Sequence, residues 1–223
     1  MIRIFLGYDS REVIAHHVCA QSIIETSRMP LSITPLKLDN LSSIFDRSRE
    51  PDQLTDFSYT RFLVPYLCDY KGWAIYLDGD MLIREDIQRL WDLKDERYAV
   101  SVVKHADRKG HHTFLDTTVS LFPKFNWSSV MLFNNEKCKA LTSDYLLTVR
   151  YQDLHQFKWL NDEKDIGALP SRWNHLVGYD KPNADVALVH WTLGGPYFDE
   201  HKNTEFAEEW FAMRDKMLKL LPE

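Results

Sequence analysis

Short apolar runs alternate with amphipathic stretches along this chain. Ile2 to Leu6 has the pattern of a strand, and Gly7-Tyr8-Asp9-Ser10 follows as a turn whose Asp and Ser are good helix caps. From Glu12 to Thr26 the apolar residues Val13, Ile14, Val18, Ile23 and Ile24 recur at helical spacing, and Pro30 precedes a β-rich run from Leu31 to Leu38. The opening therefore reads as a βαβ unit. Asp39 to Thr55 is polar, contains Pro51 and reads as a loop. Tyr59 to Tyr70 is helix-like and leads into Trp73-Ala74-Ile75-Tyr76-Leu77. That run is apolar on consecutive residues, as a strand covered on both faces requires.

The alternation continues with a short helix over Ile87 to Leu93 and strands over Tyr98 to Val103 and Val130 to Phe133. A helix through Ala140 to Val149 comes next, and a late strand over Ala187 to Trp191 ends near Gly194-Gly195. The His-rich polar stretch from His105 to Thr118 is expected to be a mobile loop. A last helix, Thr204 to Leu221, places Phe206, Trp210, Met213, Met217 and Leu220 on one face, a stripe suited to docking on the sheet. Its polar face carries Glu205, Glu208, Glu209 and Asp215, which is too acidic for a membrane-surface helix. Neither a repeat nor a linker interrupts the pattern, so residues 1–223 are expected to form one α/β domain.

Composition narrows the function. With 27 Lys+Arg against 33 Asp+Glu the formal net charge is −6, so no single-sign field would draw the chain to nucleic acid or an anionic membrane. Apolar residues at 44% exclude a disordered protein. No apolar stretch approaches the roughly 20 residues of a transmembrane helix, and the N-terminus lacks the apolar region and cleavage site of a signal peptide. Cys19, Cys68 and Cys138 are widely spaced among apolar residues, as buried thiols in a reducing compartment would be. A cytoplasmic location is expected.

Asp78-Gly79-Asp80 stands directly after the apolar strand. Alternate residues of an extended segment share a face, so the two carboxylates can converge on one hard cation, with Gly79 allowing a close approach to the backbone. An Asp-Gly turn with no ion is the plainer alternative. His190, at the end of the late strand, either completes such a carboxylate site for an ion such as Mn²⁺ or is merely hydrogen-bonded. Gly194 and Gly195 could turn backbone N–H groups toward a phosphate. His105, His111, His112 and His155 read as ordinary structural histidines.

Asp78-Gly79-Asp80-Met81-Leu82-Ile83, followed by Leu90-Trp91-Asp92-Leu93, resembles the metal-binding segment of the family 8 glycosyltransferases, the group that contains glycogenin and the bacterial lipopolysaccharide galactosyltransferases. Tyr59 to Pro65 resembles the family's arginine-bearing helix, Val130 to Asn134 its strand after the mobile loop, and Leu169 to Asn174 its Leu-Pro-x-x-Trp/Tyr-Asn segment. The likeness runs over about residues 1 to 197. It implies a GT-A fold, a single Rossmann-like α/β domain with a mixed, mainly parallel central sheet flanked by helices.

It also implies a retaining, metal-dependent transfer of sugar from a nucleotide sugar, UDP-linked, to the hydroxyl of a glycan, glycolipid or other acceptor. Asp78, Asp80 and His190 would be the ligands of Mn²⁺ or Mg²⁺, with Asp80 also counted as catalytic. Gly7, Tyr8 and Asp9 would lie beside the base, with Arg61 and Gly79 at the donor. Three departures stand out. Gly195 takes the place of the family's diphosphate-binding Lys, which leaves backbone amides at Gly194 and Gly195, the metal or Lys104 for that role. Trp127-Ser128-Ser129 replaces Asn-Ala-Gly, with Asn126 nearby, and His155-Gln156 replaces an Asp-Gln pair, which leaves Gln156 as the expected catalytic side chain. Two other classes stay open: a haloacid dehalogenase-type phosphatase, which also places Asp-x-Asp after an apolar strand, and an inactive nucleotide-binding module.

Overall fold

The apolar runs near the start of the chain line up side by side in one sheet. The computed structural model describes residues 1–50 and 53–219; Pro51, in the expected loop, and Leu220 and Leu221, at the end of the expected last helix, lie outside the described residues. Strand β1 (Ile2–Gly7), helix α1 (Val13–Thr26) and strand β2 (Leu31–Leu36) form the expected βαβ unit, with β1 and β2 parallel. Helix α2 (Val64–Leu67) leads to β3 (Trp73–Leu77) and β4 (Met81–Ile83), followed by α3 (Gln88–Trp91) and β5 (Val100–Val102). Next come β6 (His111–Phe114), β7 (Thr117–Ser120), β8 (Val130–Asn134), α4 (Ser143–Thr148) and α5 (Tyr151–His155). The chain finishes with β9 (Ile166–Ala168), β10 (His175–Leu176), β11 (Leu188–His190) and α6 (Ala207–Leu218).

The central sheet has the order β2-β1-β3-β8-β5-β9. Three of its pairs are parallel (β1 with β2, β1 with β3, β5 with β9), and β8 runs antiparallel to both neighbours. The consecutive apolar residues of β3 have a direct explanation: Ala74 and Tyr76 enter one hydrophobic core while Ile75 and Leu77 enter the core on the opposite face. Strand β8 divides in the same way, with Met131 and Phe133 on one side and Val130 and Leu132 on the other. A second sheet, β10-β11-β4, has β11 antiparallel to β4. Phe206, Trp210, Met213 and Met217 pack with Val18 of α1 and Val189 and Trp191 beside this sheet, Trp210 being almost fully buried.

Several expectations require correction. The stretch from His105 is not a bare loop, because β6 and β7 pair as an antiparallel hairpin with His112 and Phe114 turned inward. Tyr59 to Tyr70 is not one helix but a 3-10 turn, Thr60–Leu63, running into the single turn of α2. The last helix starts at Ala207 rather than Thr204. Of the apolar residues that recur along α1, Ile24 is exposed. Asp9 and Ser10 do not cap α1: Asp9 accepts the Arg11 and Asp56 N–H groups, and Ser10 donates to the Asp56 carboxylate. Cys19, Cys68 and Cys138 are buried free thiols. No described helix is long and apolar enough to cross a membrane.

Candidate active site

The segment Asp78-Gly79-Asp80 joins the two sheets, since β3 ends at Leu77 and β4 begins at Met81. Backbone pairing holds it from both sides. Asp78 N–H donates to Ser129 O (3.0 Å) at the entry to β8, and Trp191 N–H donates to Asp80 O (3.1 Å) at the exit of β11. The antiparallel register sets His190 opposite Met81, which brings the imidazole over the carboxylates. His190 Nε2 lies 3.3 Å from Asp80 Oδ1 and 3.9 Å from Asp78 Oδ2, and the three residues offer ligand atoms that all lie within 4.8 Å of one another.

Surrounding groups fix each of these side chains. Tyr76 OH donates to Asp78 Oδ1 (2.7 Å), and Arg61 Nη1 stands 3.1 Å from the same oxygen. His190 Nδ1 is 3.0 Å from Asn174 Oδ1, and Asn174 Nδ2 donates in turn to Ser129 Oγ (2.9 Å). An amide oxygen only accepts, so His190 Nδ1 carries a proton and Nε2 is the nitrogen turned to the carboxylates; in the neutral ring that nitrogen presents its lone pair to them, the arrangement that ligating histidines adopt.

Burial pushes the Asp78 carboxyl up to about 6, against the pull of Arg61. Burial favours the neutral form of Asp80 too, but His190, its own backbone N–H and Arg61 together hold it below the usual carboxylate range. For His190, burial opposes the charge and the two carboxylates outweigh it, so its affinity for a proton rises. Asp80 Oδ1 is buried with no aligned hydrogen-bond partner. An unsatisfied carboxylate oxygen, a second carboxylate and an imidazole presenting Nε2 form a donor set that suits a divalent ion such as Mn²⁺.

These groups open into a cavity. Arg61, Asn126, Ser128 and His155 are among its other polar lining residues, and Phe122, Phe125 and Tyr151 among its apolar ones. Arg61, buried between the rings of Phe57 and Tyr76, touches both Asp78 and Ser128. Other expected site residues do not line this cavity. Lys104 Nζ donates to Ile166 O (2.8 Å) and is not on the cavity wall. Gly194 N–H is taken by Trp191 O, and the two glycines answer to packing: a Cβ would fall 2.8 Å from the His201 ring at Gly194 and would overlap the Tyr197 ring at Gly195. What approaches Gly79 is the Gly7 carbonyl, 2.6 Å from where a Cβ would stand. Gly7 O also accepts from His16 Nδ1 (2.8 Å), whose ring meets Tyr8 edge-on. Asp9 is buried and paired with Arg11 at 2.7 Å.

Gln156 follows the last residue of α5, half-buried, and the cavity wall receives His155 instead. Leu154, Phe157 and Leu160 around it pack into the core. Sequence reasoning treated His155 as structural and Ser128 only as a departure from a motif; that both residues stand where the sequence departs from the family's pattern was the available signal. Asn174 was quoted in its segment without a role, because nothing local ties it to His190.

The description Glycosyl transferase family 8 matches residues 5–194. Protein CDI of Arabidopsis thaliana is 41% identical over 218 residues, which cover 93% of this chain and 84% of that protein. Among solved structures, the apo bifunctional glycosyltransferase WbbM superposes with a TM-score of 0.67 at 12% identity over 96% of this chain, which spans about half (49%) of WbbM. The galactosyltransferase LgtC, in complex with donor and acceptor sugar analogues, gives 0.56 at 14% identity over 100% of this chain and 98% of its own. The mixed sheet and its flanking helices are thus of the GT-A type, and the phosphatase alternative falls away: the chain belongs to glycosyl transferase family 8 and is a glycosyltransferase.

Proposed function

We propose that residues 1–223 act as one unit that transfers a sugar from a UDP-sugar to the hydroxyl of a glycan, glycolipid or other acceptor, with retention of configuration and with dependence on a divalent ion. The observation that carries this reading is the convergence of Asp78, Asp80 and His190 on one point at the floor of the cavity. Those three residues would hold Mn²⁺ or Mg²⁺. When bound, the ion offsets the charge of a diphosphate and makes it a better leaving group. Arg61 adds a buried positive charge on the same wall, and takes the part expected of Lys104. The apolar walls exclude water, which strengthens these charges and limits hydrolysis of the donor.

Among the described residues, Asp78 and Asp80 are the only carboxylates lining the cavity. With both committed to the ion, no carboxylate is left to form a glycosyl intermediate. The acceptor hydroxyl then attacks from the face that the diphosphate leaves, and its proton passes to the departing phosphate. Galactosyl transfer by LgtC supports a hexose donor. The test is calorimetry of UDP with Mn²⁺, followed by UDP release from a panel of UDP-sugars. Binding that needs Mn²⁺ and release from at least one donor are expected. Equal affinity after chelation would overturn the metal assignment, and binding without release from any donor would leave the inactive nucleotide-binding module.

A further inference from the structure

Among the polar side chains of the cavity wall, Ser128 and His155 form a pair with no role in the site described so far. Ser128 Oγ and His155 Nδ1 lie 2.7 Å apart, and both residues are almost fully buried. His155 Nε2 is 3.0 Å from the Ser58 carbonyl, which can only accept, so the ring proton is on Nε2. Burial, with Arg61 nearby, keeps this imidazole neutral. Nδ1 therefore carries a lone pair, and the 2.7 Å contact is the Ser128 hydroxyl donating to it.

A hydroxyl whose proton is held back in this way offers only lone pairs to whatever lies in front of it. One is engaged by Arg61 Nη1 at 3.3 Å. The same nitrogen reaches Asp78, so the serine oxygen stands one guanidinium group away from the proposed metal site. Gln156, the expected catalytic side chain, is absent from this wall.

We infer that Ser128 is a catalytic residue of the transfer, its oxygen facing the anomeric carbon and stabilising the positive charge that grows there, and that His155 positions it. This inference rests on the proposed function. No bond to Ser128 forms. The bond from the anomeric carbon to the diphosphate breaks with both electrons leaving on the diphosphate; the acceptor oxygen bonds to that carbon, and the acceptor proton moves to the diphosphate. A fixed oxygen dipole aimed at the cationic centre gains interaction energy only as the charge develops, so its loss falls on turnover and not on donor binding.

The experiment compares the whole chain with its Ser128→Ala, His155→Asn and double variants, with UDP and UDP-galactose or another hydrolysed UDP-sugar as probes in Mn²⁺. Calorimetry counts UDP-competent sites, so rates are read per folded molecule. Ser128→Ala should lower single-turnover sugar transfer or donor hydrolysis about 10- to 100-fold while UDP affinity stays within about threefold. His155→Asn should lose less, because the hydroxyl remains. The double variant should be no slower than Ser128→Ala, since the two residues act as a unit. A normal rate per UDP-binding site in Ser128→Ala overturns the catalytic role, as does a loss confined to melting temperature or to UDP affinity. Absence of Mn²⁺-dependent UDP binding in the unaltered chain is a different result, and it would remove the proposed function as well.

Discussion

One wall of the cavity is made by the ends of sheet strands and another by turns. Asp78, Asp80 and His190 sit at the ends of β3 and β11, where ladder hydrogen bonds and an antiparallel register decide where each side chain points. Ser128, Asn126 and His155 sit on a 3-10 turn, on a residue with φ of 69° and on a helix of one and a half turns. Lys124 and Phe157, on either side, also take positive φ angles of 65° and 61°. The strand wall is therefore over-determined by the sheets, whereas the turn wall depends on individual side-chain hydrogen bonds such as that between Ser128 and His155. The first should tolerate only changes that preserve charge. The second should respond residue by residue.

The largest expected effect falls on the strand wall. Asp80→Asn removes a charge from the proposed ligand set without changing its size, and UDP affinity in Mn²⁺ should fall at least about a hundredfold, about 3 kcal/mol. Calorimetry that showed no change would break the distinction between the walls.

Gly79→Ala comes next. Its Cβ would stand 2.6 Å from the Gly7 carbonyl, so the end of β1 must move, and the fold should lose about 1–3 kcal/mol in urea denaturation. A melting curve identical to that of the unaltered chain would mean that the junction is slacker than its contacts indicate.

A pH titration sharpens the contrast further. Burial disfavours the His190 charge, but Asp80 and Asp78 outweigh it and raise its proton affinity above the usual value of about 6.5. The ion needs the neutral ring, so protons already compete above that value, and Mn²⁺ affinity should drop by up to about tenfold per pH unit as pH falls. His190→Ala should bind the ion more weakly and with a flatter pH dependence. An unchanged slope in this variant would assign the titration to another group.

The smallest effect concerns Gln156. Standing off the cavity wall, Gln156→Ala should keep turnover within about threefold of the unaltered chain. A loss of a hundredfold would reverse the assignment of the turn wall and return the catalytic role to the amide.

The strand wall was legible in the sequence and the turn wall was not, for physical reasons that particular residues display. Trp73 to Leu77 announces a strand because both faces of β3 are covered, and a carboxylate pair after such a strand can hardly point anywhere but out of the sheet's edge. His190 follows by the same logic. The hairpin was missed although His111, His112, Thr113 and Phe114 alternate exposed and buried, because a histidine occupies an inward position; there it bonds Tyr179 OH at 3.0 Å. Gln156 was expected at the site because the resemblance keeps that Gln where His155 replaces the family's Asp, and nothing periodic at the end of a short helix shows that His155 is the one on the cavity wall. Lys104 was credited with a free charge, but its partner, the Ile166 carbonyl, belongs to a strand far along the chain.

The pairing of β11 with β4 has a consequence for the order in which the protein is made. About half the chain separates Asp80 from His190, and the two meet only when β11 docks beside β4. On the ribosome the carboxylate pair emerges long before its imidazole, and closing so long a loop is a slow, non-local step of folding. A nascent chain, or one cut short before Leu188, displays the complete Asp-Gly-Asp signature without the third ligand. Binding of the proposed ion would thus come late in the life of the molecule, and a captured ion would report that the last strand has reached its place.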